Sequence, residues 1–161
     1  MLEIIVLVII IITLHYLSFL SLIYKGLKQL SRYKPITTKD KSVSVLIPFR
    51  NESENILVCL ESLRKQNYPE ENLEMIFIDD NSTDDSLTKL KENVSSDRIK
   101  ILSNKSENSE RAHKKKAIEY GISYAKGEII VTTDADCTHS RNWIQTMVNT
   151  FEDEVGFVAG P

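Results

Sequence analysis

The chain has 161 residues, with 42% hydrophobic and 27% charged side chains, five glycines and four prolines, an ordinary globular composition that excludes a disordered, collagen-like or low-complexity protein. A formal net charge of −3 gives no basic excess for a nucleic-acid footprint, so nucleic acid is not an expected partner. Cys59 and Cys137 stand far apart with no CxxC pair and no Cys/His cluster at zinc spacing, which reads as two plain thiols in a reducing compartment without a structural metal.

From 4 to 24 the run IIVLVIIIITLHYLSFLSLIY holds no Asp, Glu, Lys or Arg. At 1.5 Å per residue it reaches roughly 31 Å, one bilayer core. A cleaved signal would want basic residues before the apolar run, but only Glu3 precedes it, while Lys25, Lys28, Arg32 and Lys34 follow. Residues 1–24 are therefore expected to form a single transmembrane helix in the cell membrane, with the basic side and the soluble part cytoplasmic. Thr13 and His15 lie mid-span and need no role beyond the helix. Residues 25–41, polar and interrupted by Pro35, read as a basic juxtamembrane linker.

The remaining residues, 42–161, alternate strand and helix. The β-branched run 43–47 (VSVLI) predicts a buried strand closed by Pro48, and Ile56, Cys59, Leu60 and Leu63 mark one apolar helix face, which makes Cys59 core. A second strand is predicted at 73–78 (LEMIFI), then a helix over about 83–93 with a capping box in Ser82-Thr83-Asp84-Asp85. A short third strand at 99–102 precedes a helix carrying Ala117, Ile118, Gly121, Ile122 and Ala125 and stopped by Gly127. The run 128–133 (EIIVTT) predicts a fourth strand, Trp143, Ile144, Met147, Val148 and Phe151 line another helix, and 155–159 (VGFVA) starts a fifth strand. The pattern specifies an α/β fold: a mostly parallel, Rossmann-like sheet with helices on both faces.

Such sheets bind ligands outside the carboxyl ends of their strands. Three predicted strands end in polar residues there: Pro48-Phe49-Arg50-Asn51-Glu52, Asp79-Asp80-Asn81-Ser82 and Asp134-Ala135-Asp136. The glycine-rich strings of dinucleotide-binding Rossmann domains and P-loop NTPases are both missing from the sequence. If strand geometry persists through Asp134-Ala135-Asp136, period-2 alternation turns both carboxylates to one side, two hard oxygen ligands suited to Mg²⁺ or Mn²⁺ together with substrate phosphates. Read alone, a DxD string is more often a solvated turn or a helix cap, and its place after a strand is what weighs towards a metal site. Asp79 and Asp80 can cap the following helix, or a carboxylate at that strand end can accept the imide N–H of a pyrimidine base.

The strings SVSVLIPFRNESENI, FIDDNSTDDS, HKKKAIEYGISYAKGE and IIVTTDADC, in that order and spacing, resemble the nucleotide-binding half of family-2 glycosyltransferases with the GT-A fold. The resemblance covers about residues 42–161. It implies a nucleotide-sugar donor, usually a UDP-sugar, and transfer of the sugar with inversion to an acceptor hydroxyl, the acceptor at a membrane being lipid-linked or a polysaccharide. By position it puts Pro48, Asn51 and Glu52 in the nucleotide-contacting loop, Asp80, with Asp79 beside it, on the base, Lys114 near the diphosphate, Asp136 on the metal and Asp134 beside it near the ribose, sugar or metal. In Lys114-Lys115-Lys116 the register of that basic residue stays open, since a lysine run is also an ordinary solvated face. Trp143 reads as core rather than a sugar platform, and Asn81 stands where the family often has glycine, a residue that also tolerates a left-handed turn. The family's second half, with the acceptor site and a carboxylate general base, does not follow here, and no motif places a base. The expectation is a donor-binding N-terminal part of a longer transferase; the alternative is a truncated, inactive membrane-tethered module that binds donor. A sugar nucleotidyltransferase would begin with a glycine- and arginine-rich loop that VSVLIPFRNE does not match.

Overall fold

The computed structural model describes residues 1–30, 41–103, 113–151 and 155–160, which fall in two compact units, 1–35 and 36–161. Most of the expected linker, with Arg32, Lys34 and Pro35, lies outside the described residues.

The first unit is one helix, α1, Leu2–Leu30. Its stretch Leu2–Lys28 is long and apolar enough to cross a membrane, and its apolar side chains are exposed throughout. The helix runs past the apolar segment to carry Lys25 and Lys28, the latter over the Tyr24 ring at 5.3 Å from its centroid. The Thr13 hydroxyl donates to the Ile9 carbonyl at 2.8 Å, so this polar group is satisfied within its own helix.

The second unit holds β1 (Val43–Phe49), α2 (Ile56–Arg64), β2 (Leu73–Asp79), α3 (Ser86–Asn93), β3 (Ile99–Ser103), α4 (His113–Ile122), β4 (Ile129–Thr132) and α5 (Trp143–Asn149), with a 3₁₀ turn at Glu70–Asn72. The four strands form one parallel sheet in the order β3-β2-β1-β4. All seven β1 residues are buried, as a central strand covered on both faces requires. Alternation sorts the side chains. Val43, Val45, Ile47 and Phe49, with Met75 and Phe77, meet Ile56, Cys59, Leu60 and Leu63 of α2, Leu90 of α3 and Ile144 and Val148 of α5. On the other face Leu46, Ile76 and Ile78 meet Ala117 and Ile118 of α4. The parallel sheet with helices on both faces is thus as expected, and Cys59 is core: burial, chief among the causes, pushes its thiol up to about 12.

Several boundaries differ from expectation. β1 does not stop at Pro48 but continues to Phe49. Leu46 accepts the Thr133 N–H, so alternation turns Pro48 towards the same side, and the β4 ladder ends at Leu46 opposite Thr132. The N–H that proline lacks would therefore face no ladder partner. α3 begins at Ser86, not near 83, and its N-cap Asp85 makes no side-chain cap bond. The expected capping box does not form: the Ser82 hydroxyl accepts the Asn51 N–H of the neighbouring loop, and Asp84 is shared between that loop's Ser53 N–H and the Ser86 N–H at the start of α3. α4 ends at Ile122, before Ala125, and the chain leaves it through three i→i+3 bonds at Ser123, Tyr124 and Ala125. The expected fifth strand does not form: residues 155–160 are irregular, and the sheet has four strands among the described residues.

The strand order sets the position of the site. From β1 the chain moves outward to β2 and β3, then returns to place β4 on the other side of β1. The order reverses between β1 and β4, and a crevice opens there beyond the carboxyl ends of both strands.

Candidate functional site

At that crevice lies a cavity of about 220 Å³ lined by Pro48, Phe49, Arg50, Glu52, Asp80, Lys114, Asp134 and Asp136. Side chains from the ends of β1, β2 and β4 and from the start of α4 meet in it. Six residues named from the sequence are among the lining: Pro48, Glu52, Asp80, Lys114, Asp134 and Asp136. Asn51 and Asp79, also named, lie outside the lining and tie its loops together.

Asn51, at φ 56°, and Asn81, at φ 57°, are the non-glycine residues with positive φ among those described, one in the loop after β1 and one after β2. Asparagine is tolerated in this left-handed region, so Asn81 does take the turn anticipated for it. Asn51 Oδ1 accepts the Thr83 N–H at 2.7 Å and the Thr83 hydroxyl at 3.3 Å, while its own N–H donates to Ser82 Oγ at 3.1 Å. The Glu52 N–H donates to Ser86 Oγ at 2.8 Å. Asp79, buried, accepts the Ser82 N–H at 3.0 Å and closes the turn that carries Asp80. Asp80 is buried at the cavity wall, with its N–H on the Phe49 carbonyl at 2.9 Å. Asp84, fully exposed, is held below the usual carboxylate range chiefly by the Ser86 hydroxyl.

The two carboxylates after β4 converge by a different route from the one expected. β4 ends at Thr132, and Asp134–Cys137 is a turn in which the Cys137 N–H donates to the Asp134 carbonyl at 3.3 Å. Ala135 points into the core while Asp134 and Asp136 stay exposed at the cavity. The Cys59 thiol lies 3.8 Å from the Asp134 carbonyl, beneath the turn. Behind it, His139 Nε2 is 2.8 Å from the Thr133 hydroxyl, and its ring stacks on Trp143 with centroids 3.8 Å apart. Burial holds the His139 pKa below its ordinary value, which favours the neutral ring at pH 7. Trp143 packs against the core, as expected.

Lys114 Nζ lies 2.5 Å from Asp134 Oδ1. Lys115 instead reaches Glu119, at 3.7 Å, so among the three lysines Lys114 is the one lining the cavity. Arg50 and Phe49 were not singled out from the sequence. Their place where the buried run of β1 ends, Phe49 its last residue and Arg50 the next, beside three residues that were, is the signal that could have found them.

Among the described residues no three His, Cys, Asp or Glu groups converge as a closed metal cage. Two exposed carboxylates sharing one cavity make the donor set that Mg²⁺ or Mn²⁺ uses when phosphates and water complete its coordination, so the residues present fit such an ion.

The family profile described as glycosyl transferase family 2 matches residues 44–161, well over half of the chain. The chain belongs to glycosyl transferase family 2. Among curated relatives, this family-2 chain is 31% identical over 109 residues to glycosyltransferase AglE of Haloferax volcanii, covering 67% of the chain and 34% of that protein. It is 30% identical over 113 residues to a dolichyl N-acetyl-α-D-glucosaminyl phosphate 3-β-D-2,3-diacetamido-2,3-dideoxy-β-D-glucuronosyltransferase of Methanococcus voltae, covering 68% of the chain and 34% of the relative. Among solved structures it resembles the mannosyltransferase PcManGT of Pyrobaculum calidifontis, determined in complex with GDP-Man and Mn²⁺, with TM-score 0.67 and 25% identity over 83% of this chain and 40% of that one. The chain spans about a third of the length of the curated relatives it matches.

Proposed function

We propose that this family-2 chain binds the donor in a glycosyl transfer: a nucleoside diphosphate sugar, held through Mg²⁺ or Mn²⁺, whose sugar passes with inversion to an acceptor hydroxyl. The observation that carries the reading is the meeting of Asp80 from the end of β2, Lys114 from α4, and Asp134 and Asp136 from the turn after β4, in one cavity at the point where strand order reverses. Asp80, buried where β2 ends, is suited to accept an imide N–H of the base, with Pro48 and Glu52 shaping the nucleotide side. Asp136, with Asp134, would hold the ion, and Lys114 would face the diphosphate. A bound Mg²⁺ or Mn²⁺ supplies Lewis-acid neutralisation of the departing diphosphate. The acceptor site and the general base are assigned to the part of the relatives' length that this chain does not match. The PcManGT complex with GDP-Man and Mn²⁺ supports the donor class, and the sequence resemblance favours a UDP-sugar.

We further propose that α1 anchors the protein in the cell membrane with its Lys25 and Lys28 end, and the sheet unit, in the cytoplasm. A lipid-linked acceptor fits that placement, and the dolichyl phosphate named for the Methanococcus voltae relative supports it over a polysaccharide.

The test is thermal melting of the full chain in detergent with UDP or GDP, each with Mn²⁺ and with EDTA. With both nucleotides at one concentration, a hundredfold above the Kd of the tighter in Mn²⁺, the tighter should stabilise the sheet unit by about 2.7 kcal/mol in Mn²⁺ and by much less in EDTA. The nucleotide giving the larger rise identifies the base. A melting curve moved by neither nucleotide contradicts the proposal.

A further inference from the structure

The ion pair between Lys114 and Asp134 puts a positive charge on one of the two carboxylates proposed to receive the divalent ion. Lys114 Nζ is 2.5 Å from Asp134 Oδ1, and both side chains remain substantially exposed, at 60% and 50%. An exposed pair of this kind is weak and exchangeable, worth at most about 1 kcal/mol. The cavity lining holds four carboxylates, Glu52, Asp80, Asp134 and Asp136, against two basic side chains, Arg50 and Lys114, so its formal charge is −2. Such a lining repels a diphosphate until positive charge is added or freed. A lysine ammonium on a flexible four-carbon stem can do both jobs in turn, because it swings between acceptors without losing its charge. A divalent ion on the same carboxylate weakens that pair, since two cations then repel each other across it.

Resting on the donor-site reading above, we propose that Lys114 is an intramolecular counter-ion for Asp134 that competes with the divalent ion, and that its displacement hands the ammonium to the donor diphosphate. Binding of ion and donor are thereby coupled through one side chain: the ion's arrival frees the cation that the phosphates need. Lys115, one residue along α4 and directed to Glu119, takes no part.

The test uses the full chain in detergent and two titrations, Mn²⁺ alone followed by the electron paramagnetic resonance of free Mn²⁺, and UDP or GDP at saturating Mn²⁺ followed by calorimetry. Lys114→Met, which keeps the stem and removes the charge, should bind Mn²⁺ alone about threefold more tightly. The same variant should bind nucleotide at saturating Mn²⁺ about tenfold more weakly, having lost a charge-assisted hydrogen bond. Lys115→Met should leave both affinities within twofold of the wild type. Opposite changes in the two titrations, confined to Lys114, support the proposal. Unchanged or weaker Mn²⁺ binding by Lys114→Met, with nucleotide binding intact in the wild type, overturns it and leaves the donor site standing. An equal tightening in Lys115→Met reduces the effect to general surface charge and also overturns it. A wild type that binds no nucleotide at saturating Mn²⁺ removes the donor site and this coupling together.

Discussion

Asp136→Asn is expected to abolish Mn²⁺-dependent nucleotide binding while leaving the fold intact. Asp136 is exposed at the cavity, and the contact it makes is a long one, accepting from the Cys137 thiol at 3.6 Å. Asparagine keeps its size and one carbonyl oxygen but removes the negative charge that a hard cation binds. Changes to groups that merely orient a ligand cost about 10–100-fold in metal affinity, so loss of a carboxylate proposed to bind the ion directly should cost at least about 100-fold. Stability should change by no more than about 0.5 kcal/mol, as for an exposed side chain outside any network. Calorimetric titration with UDP or GDP, with Mn²⁺ and with EDTA, reads the first quantity, and melting without ligand reads the second. A variant that keeps its Mn²⁺-dependent affinity would move the metal away from this turn.

The largest stability loss is expected from Gly127→Ala, far from the cavity. Gly127 passes beside the amino end of β1, where a Cβ would stand 2.4 Å from the Ser44 nitrogen and 2.6 Å from the Val43 carbonyl carbon. Those are backbone atoms of the central strand, which side-chain rotation cannot move aside. The Gly127 N–H donates to Ser44 Oγ at 2.8 Å, and the same hydroxyl donates to Glu74 Oε1 and accepts the Lys126 N–H. Burial acts to raise the Glu74 pKa, but hydrogen bonds from Lys100, Ser44 and the Lys126 N–H outweigh it and hold the carboxyl below its usual value. Separating Gly127 from β1 to admit a methyl therefore breaks a charged network as well as the close approach. The cost should be about 3 kcal/mol, at the upper end of ordinary overpacking. For a sheet unit of this size that lowers Tm by roughly 10 °C. A melting point within 2 °C of the wild type would show that the approach relaxes at little cost.

The parts legible from sequence were those decided by local pattern. The apolar runs of β1 and β2, each interrupted by one polar residue, reported strands buried on both faces, and the spacing of Ile56, Cys59, Leu60 and Leu63 reported the buried face of α2. Because strand ends in a parallel sheet share one edge, naming the polar residues there picked out Pro48, Glu52, Asp80, Asp134 and Asp136, and the family resemblance added Lys114, six of the eight cavity residues. What could not be read depended on partners distant in the chain. Residues 155–159 have strand composition, but a strand is made by pairing, and in this structure they pair with nothing regular. Ser82 has the chemistry of a helix cap, yet its hydroxyl serves Asn51, 31 residues earlier. Asp134 and Asp136 fall on one side through a turn closed by Cys137, where period-2 alternation gave the same side for a different reason.

The central claim is that carboxylates from β2 and from the turn after β4 grip one nucleoside diphosphate through a divalent ion. A crystal structure of the full chain with Mn²⁺ and the better-binding nucleotide, with the metal located by its anomalous scattering, tests it most directly. The proposed site requires one manganese peak in coordination contact with Asp136 and the diphosphate, Asp80 against the base, and Lys114 moved from Asp134 to a phosphate oxygen. Nucleotide bound away from Asp80, or manganese bound away from the Asp134–Asp136 turn, would contradict it.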